Sequence, residues 1–190
     1  MHVLRQRALE KRAWGFTLVE LMVAIAVAAI LLVIAVPSFT TAINSNRLTS
    51  TANALIGSLN AARMEAVQRN APVQFCSNSA TSNTSDTLGT ACGTNAGAVF
   101  ALTSPGATTT TQLQVPPSEL GISSIQIHGT MAAVRFNGQG QGLTPGTSTP
   151  VDGTVVMDVC STSLSTNNHI QVNMAAGSVI TTTTSTGACP

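Results

Sequence analysis

The sequence predicts an α+β protein in which one long N-terminal helix packs against a C-terminal antiparallel β-sheet. An unbroken apolar run begins at residue 16, and an apolar stripe with helical spacing continues to about residue 70. Beyond that point Thr, Ser, Gly and β-branched residues replace the helix formers, and turn residues separate short alternating segments. The second half of the helix needs an apolar partner, and the β-rich segment supplies one.

Composition excludes several classes of protein. Of the 190 residues, 8% are charged and 3% are aromatic, against about 25% charged residues in an ordinary soluble domain. Charge-rich disordered chains and coiled coils built on Glu/Lys pairs are therefore excluded. From Phe16 onward the chain has four cationic and six acidic side chains, which gives a net side-chain charge of −2. With few cations and few aromatic rings, this part of the chain is expected to bind no nucleic acid.

The first element is a membrane span preceded by a basic segment. Residues 16–36 are 21 residues long with one charge, Glu20, so a helix here would cross the ~30 Å hydrocarbon core. A signal peptide has a shorter apolar core of about 7–15 residues and a small-residue cleavage site, which is absent here. The basic segment holds the N-terminus in the cytoplasm and places the body outside. Its cations are Arg5, Arg7, Lys11 and Arg12.

Glu20 is the exceptional residue of this span. A carboxylate inside an apolar span costs about 2.5–3.5 kcal/mol on insertion scales, so it needs a partner or a purpose. Glu20 lies near the end of the helix, and its side chain could therefore snorkel to the lipid headgroups. Alternatively, a partner group that the sequence does not identify satisfies it. The residues alone leave both interpretations open.

The junction Gly15-Phe16-Thr17-Leu18-Val19-Glu20, with its basic leader, resembles the class III leader of type IV prepilins and type II secretion pseudopilins. The resemblance implies that a membrane-embedded prepilin peptidase cleaves after Gly15 and methylates the new amine of Phe16. It implies that Glu20 pairs with the Phe16 amine of a neighbouring subunit, and that Pro37 occupies the position where these proteins carry a helix-kinking proline. Residues 1–15 would then be a cleaved leader. Residues 16–36 would contact inner-membrane lipid before assembly and form the filament core after it.

Residues 37–70 are predicted to continue the helix in amphipathic form. Apolar residues recur at steps of three and four, and polar residues fill the other faces. The helix should end near Asn70, because Pro72 disfavours helical backbone at the residue before it. The apolar stripe consists of Leu48, Ala52, Leu55, Leu59, Ala62 and Ala66.

Residues 71–190 are predicted to form a β-rich head. Turn residues such as Asn137-Gly138 separate its strands, and the threonine tracts 108–111 and 181–184 are expected in solvated loops or edge strands. The glycine-rich segment 138–142 is expected to be a hairpin turn, since no helix pattern follows it. The predicted strands are Val73–Cys76, Ala98–Leu102, Gln112–Val115, Ile122–Ile127, Ala132–Phe136, Thr154–Cys160, Ile170–Met174 and Ser178–Thr183.

A second set of residues indicates one family within these pilin-like proteins. The helix exit Ala62-Arg63-Met64-Glu65-Ala66 with Cys76, the hairpin Arg135–Gly140 and the C-terminal Cys189 are similar to the GspH/FimT/FimU family of H-type pseudopilins and minor pilins. This resemblance implies a pilin fold, in which the long helix packs against an antiparallel sheet.

The four cysteines are expected to form disulfides, because the body lies on the oxidising side of the membrane and their number is even. Three pairings are possible. We favour Cys76–Cys92 with Cys160–Cys189, since each closes a local, loop-rich segment. Zinc is the competing interpretation. It is disfavoured because no two cysteines have metal-ligand spacing and the histidines are not clustered along the chain.

Catalytic chemistry is not expected, and neither is a cofactor or a metal. His2 lies in the leader, and His128 and His169 are expected to be surface or turn histidines. Asp158 stands alone in its strand, and no nucleophile–base set or phosphate-binding motif is present. The chain is therefore predicted not to be an enzyme.

Three functions compete. The two cysteine pairs and the Thr/Ser-rich body favour a minor pilin of a type IV pilus, which would assemble with other pilins. The alternative is the H-type pseudopilin of type II secretion. The third is a DNA-binding minor pilin for natural transformation. It is disfavoured because Ser178 and Ile180 stand where such proteins carry arginines. The expected location is the bacterial inner membrane, with a cytoplasmic N-terminus and a periplasmic head, and then the filament.

Overall fold

The structure is a computed structural model that describes residues 15–104, 106–121 and 124–190. The chain divides into two compact units, Met1–Thr40 and Thr41–Pro190. Helix α1 (Leu18–Arg69) contributes residues to both units. Residues 1–14 of the predicted leader (residues 1–15), with its four cations and His2, lie outside the described residues.

The first unit contains the apolar part of α1. Between Phe16 and Val36 almost every side chain is exposed, and none is buried. The helix is long and apolar enough, by length and composition, to cross a membrane. Helical backbone continues through Pro37 and on into the second unit.

The second unit contains the amphipathic part of α1. All six residues of the predicted apolar stripe are buried, together with Thr51 and Ser58. The two hydroxyls are satisfied within the helix, since they donate to the carbonyls of Arg47 and Ala54. A polar residue can therefore lie in the stripe without an unpaired buried group.

The end of α1 has a clear local cause. After Arg69, Asn70 adopts the left-handed conformation with φ 47°, which asparagine tolerates better than most residues. The Asn70 amide donates to Val67 and the Ala71 amide to Ala66, and these bonds satisfy the last carbonyls of the helix. The predicted end near Asn70 is confirmed.

The strands form two antiparallel sheets, and the prediction of one sheet is wrong. The five-stranded sheet has the order β3-β2-β1-β5-β6, and the four-stranded sheet has the order β4-β7-β8-β9. Alternation along the chain predicts strands but not which distant strands pair. The strands are β1 (Val73–Phe75), β2 (Val99–Leu102), β3 (Thr110–Gln114), β4 (Ile125–Ile127), β5 (Val134–Phe136), β6 (Gly142–Leu143), β7 (Thr154–Ser161), β8 (His169–Ala175) and β9 (Val179–Ser185).

Each of the eight predicted strands has a counterpart in the structure, although Ile122 of the predicted fourth strand lies outside the described residues. One further strand, β6, was not predicted, because its two residues are too few to show alternation. Two short helices, α2 (Ala80–Asn83) and α3 (Thr87–Cys92), were also missed by the sequence analysis. They span fewer than two turns each, which is too short for a helical period to appear.

One core joins the helix to both sheets. Leu55 and Leu59 of α1 are fully buried with Phe75 and Phe136 of the five-stranded sheet and Val172 of the four-stranded sheet. A smaller cluster lies around α3 and is built from Cys76, Leu88, Cys92, Ala98 and Phe100. The α+β class is therefore confirmed, with two sheets in place of one.

Candidate functional site

The N-terminal site comprises residues 15–20, and a helix cap organises it. The Thr17 carbonyl accepts the first helical hydrogen bond from the Leu21 amide at 3.1 Å, and Thr17 Oγ1 accepts from the Glu20 amide at 3.2 Å. Thr17 is therefore the N-cap residue, with Glu20 at the third helical position. Sequence analysis missed this cap, although the Thr-x-x-Glu spacing is its signature.

The cap places Glu20 in the first turn of α1. An acidic side chain is favourable there, because the unpaired amides at a helix N-terminus carry a partial positive charge. Glu20 is exposed, and so is Phe16, which is 79% accessible. The site therefore presents a carboxylate in the first turn of α1 and an apolar side chain just before the helix begins.

The remaining predicted site residues lie apart from the N-terminal site. Pro37 lies further along α1, where its carbonyl accepts a hydrogen bond from Thr40 Oγ1 at 2.9 Å. The four cysteines lie in the second unit. They form the bridges Cys76–Cys92 and Cys160–Cys189, the two pairs that the sequence analysis favours.

The two disulfides attach peripheral segments to the sheets. Cys76 directly follows β1 and is joined to the last residue of α3, at a Cα–Cα distance of 5.4 Å. Cys160 of β7 is joined to Cys189 in the C-terminal tail (residues 186–190), at 5.7 Å. Both cross-links restrict loop-rich parts of the head, and each stabilises it by about 3 kcal/mol in the chain-entropy description.

A polar cluster under α3 was missed by the sequence analysis. The Arg135 guanidinium donates to both carboxylate oxygens of Asp86, at 2.5 and 2.9 Å, and also to the amide oxygen of Gln74. Gln74 is buried and donates to the Asn83 carbonyl at 3.0 Å. Asp86 also caps α3 by accepting from the Gly89 amide. The cluster joins β1, β5 and α3 through residues that are distant in sequence.

This cluster predicts a specific pH dependence. The hydrogen bonds from Arg135 hold the pKa of Asp86 below its ordinary value of about 3.9. Because the folded-state pKa is lowered, the stabilisation is present above the unfolded pKa and disappears as pH falls through the folded pKa. Asp86→Asn should therefore lose less stability than the unchanged protein as pH falls below about 5. The difference should be less than about 1 kcal/mol, since the Asp86 carboxylate is 43% exposed.

Urea unfolding of residues 41–190 between neutral pH and pH 3 measures this difference. Glu65→Gln is the matched control, because its ion pair with Arg69 lies within one exposed helical turn and joins no separate elements. An Asp86→Asn profile parallel to that of the unchanged protein at every pH would contradict the prediction.

The placement of His169 requires a correction. The expected surface or turn histidine is buried, and its Nδ1 lies 3.0 Å from Oδ1 of Asp158, the aspartate that the sequence analysis left alone in its strand. The pairing arises from register, since β7 and β8 are neighbours and Asp158 is opposite Gln171. His128 is exposed as expected, but its ring lies against that of His169, with the two centroids 5.0 Å apart.

Two family models match the chain. The model of the prokaryotic N-terminal methylation motif matches residues 15–36, which contain the N-terminal site and the apolar part of α1. The model described as type II transport protein GspH matches residues 51–179, about two thirds of the chain. No curated protein and no solved structure matches the chain.

Proposed function

Because the chain belongs to the type II transport protein GspH family, we propose that it is a minor pilin of a type IV pilus, cleaved after Gly15 and methylated at Phe16. Pilins and pseudopilins are structural subunits that a prepilin peptidase processes and that assemble with one another. A role in type II secretion or pilus assembly therefore follows from the family, and the choice of the pilus is the proposal.

The observation that carries the assembly role is the exposed apolar surface of α1. Large apolar side chains from Phe16 to Val36 are at least half exposed in the isolated chain, far more than a soluble monomer tolerates. A bilayer covers such a surface before assembly, and the helices of neighbouring subunits would cover it in a filament. The inner membrane is therefore the location that the helix and the methylation motif support, with the basic leader in the cytoplasm.

Glu20 gives this assembly a polar contact. Cleavage after Gly15 would create a positively charged amine on Phe16, four residues before Glu20. Within an apolar filament core, a carboxylate paired with a neighbour's amine costs far less than either charge alone. The helix cap supports this role, because it holds the Glu20 backbone in the first turn and leaves its side chain exposed.

The two disulfides favour the pilus over the secretion machine. A pilus extends outside the cell, where no chaperone can refold a subunit. The two cross-links hold α3 and the C-terminal tail against the sheets and so limit local opening of these segments. A second candidate, the H-type pseudopilin of type II secretion, is favoured by the description of the matching family.

Deletion of the gene in the native host, followed by complementation, tests the proposal. We expect the deletion strain to lose surface pili and to keep secretion of folded exoproteins. The unchanged gene should restore pili, and Glu20→Ala should not restore them. The Glu20→Ala protein should still enter the membrane, because the substitution removes a charge from the apolar span.

Glu65→Gln is the control substitution, since it removes an exposed carboxylate from the same helix outside the N-terminal site. Lost secretion with normal pili would establish the pseudopilin role instead. Full restoration of pili by Glu20→Ala would show that the carboxylate only reaches the lipid headgroups. Immunoblots of membrane and pilus fractions distinguish poor insertion from poor assembly.

A further inference from the structure

The four-stranded sheet gathers polar side chains on the face opposite the core. Val159 of β7 and Val172 of β8 point into the core, so alternation places their neighbours Asp158 and Gln171 on the other face. His169 lies opposite Cys160 on this same face. His128 follows β4, and its amide donates to the Asp158 carbonyl at 2.8 Å, which extends the pairing of β4 with β7.

The orientation of the His169 ring is fixed by two successive contacts. Its Nδ1 lies 3.0 Å from Oδ1 of Asp158, and Gln171 Nε2 donates to the other carboxylate oxygen at 3.0 Å. An ionised Asp158 accepts the Nδ1 proton of a neutral imidazole, which leaves a lone pair on Nε2. A carboxylate that orients a histidine in this way is typical of metal sites, where it also raises the basicity of the ligand.

Nε2 of His169 is the unexplained atom of this arrangement. It is buried, and among the residues that the structure describes it has no hydrogen-bond partner. Buried polar atoms almost always have one. Gly187 of the C-terminal tail faces the ring, and a Cβ on this residue would lie only 3.2 Å from Nε2. The absence of a side chain at residue 187 therefore keeps the space beside Nε2 open.

The geometry points to a binding site for a divalent transition-metal ion, with His128 and His169 as ligands and Asp158 as the positioning residue. A ring nitrogen of each histidine and Sγ of Cys160 all lie within 4.8 Å of one another. Two metal–nitrogen bonds of about 2.1 Å can bridge about 4.2 Å, and the exposed His128 ring can rotate towards Nε2 of His169 to reach that separation. Imidazole ligands favour Cu²⁺ most strongly among the divalent first-row ions, with Zn²⁺ and Ni²⁺ below it.

Cys160 does not contribute a thiolate to this site, because its sulfur is bonded to Cys189. Water completes the coordination on the side of the exposed His128. The sequence analysis expects no metal, since the histidines are far apart along the chain. The pairing of β4 and β8 with the two sides of β7 brings them together.

Titration of the full chain with CuCl₂ tests the site. The protein is purified in detergent with its disulfides intact, without a polyhistidine tag, and with His2→Ala, so that His128 and His169 are its only histidines. We expect saturation at one Cu²⁺ per chain and an electron paramagnetic resonance spectrum with coupling to two imidazole nitrogens. His128→Ala should retain coupling to one nitrogen and weaken binding about 100-fold or more, since losing a ligand costs more than losing an outer partner.

Asp158→Asn separates positioning from ligation. It should keep the two-nitrogen spectrum and weaken binding by about 10- to 100-fold, as the loss of an outer-shell partner does. Glu65→Gln is the matched control and should change neither quantity. Circular dichroism verifies the fold of each variant, and the exposed His128 serves as the decisive ligand if the buried His169→Ala variant does not fold. Absence of saturable binding, or binding that His128→Ala leaves unchanged, would overturn the site.

Discussion

Gly15→Val should leave the entire chain uncleaved and therefore absent from the filament. A prepilin peptidase that accepts glycine needs a residue without a side chain at the cleaved bond, and a β-branched residue also restricts the backbone there. Intact-mass measurement of membrane-extracted protein gives the outcome. The unchanged protein should lose residues 1–15 and gain one methyl group, whereas the variant should keep its full mass.

The structure makes this experiment specific. A Cβ placed on Gly15 meets nothing within 4 Å among the described residues, so the substitution carries no packing cost in the folded chain. Gly57→Val is the matched control, because Gly57 of α1 is an equally open glycine that is not part of the N-terminal site. A Gly15→Val protein that is shortened and methylated like the unchanged one would remove the basis of the processing proposal.

Leu59→Ala should destabilise the second unit by about 2–5 kcal/mol, a large fraction of the stability of a typical domain. Leu59 is fully buried in the core that joins α1 to both sheets, and its truncation leaves a cavity that surrounding side chains cannot fill. Urea unfolding of oxidised residues 41–190 measures the change as a lower midpoint at an unchanged slope.

Met64→Ala provides the comparison, since Met64 lies on the same helix, has a side chain of similar size and is 61% exposed. Its effect should stay within about 0.5 kcal/mol, as for most surface substitutions. Equal effects of the two substitutions would mean that the apolar stripe of α1 is not packed against the sheets.

Features that depend on local sequence were predictable. The spacing of Leu48 to Ala66 predicted the buried face of α1, because the helical period alone determines which side chains share a face. Asn70 and Pro72 predicted the helix end for a similar reason. The residues of the N-terminal site are adjacent in sequence, so a single motif contains them all. Their roles in processing and assembly remain predictions.

Features that depend on pairing between distant segments were not predictable. The division into two sheets is one example, and the burial of His169 is another, since it depends on the register of β8 against β7. The ion pair between Asp86 and Arg135 joins residues 49 positions apart, and the hairpin motif that contains Arg135 does not indicate Asp86 as its partner. In each case the sequence around the residues contains no signal of the pairing, and only the tertiary structure determines which groups become neighbours.

The sequence separation within each disulfide determines the order in which the two bridges can form as the chain is made. Cys76 and Cys92 emerge early and close a short loop while most of the head is still being synthesised. The Cys160–Cys189 bridge encloses β8 and β9, and it can form only after both strands and Cys189 have been synthesised. A chain cut short anywhere between Cys160 and Cys189 would therefore keep an unpaired thiol on Cys160.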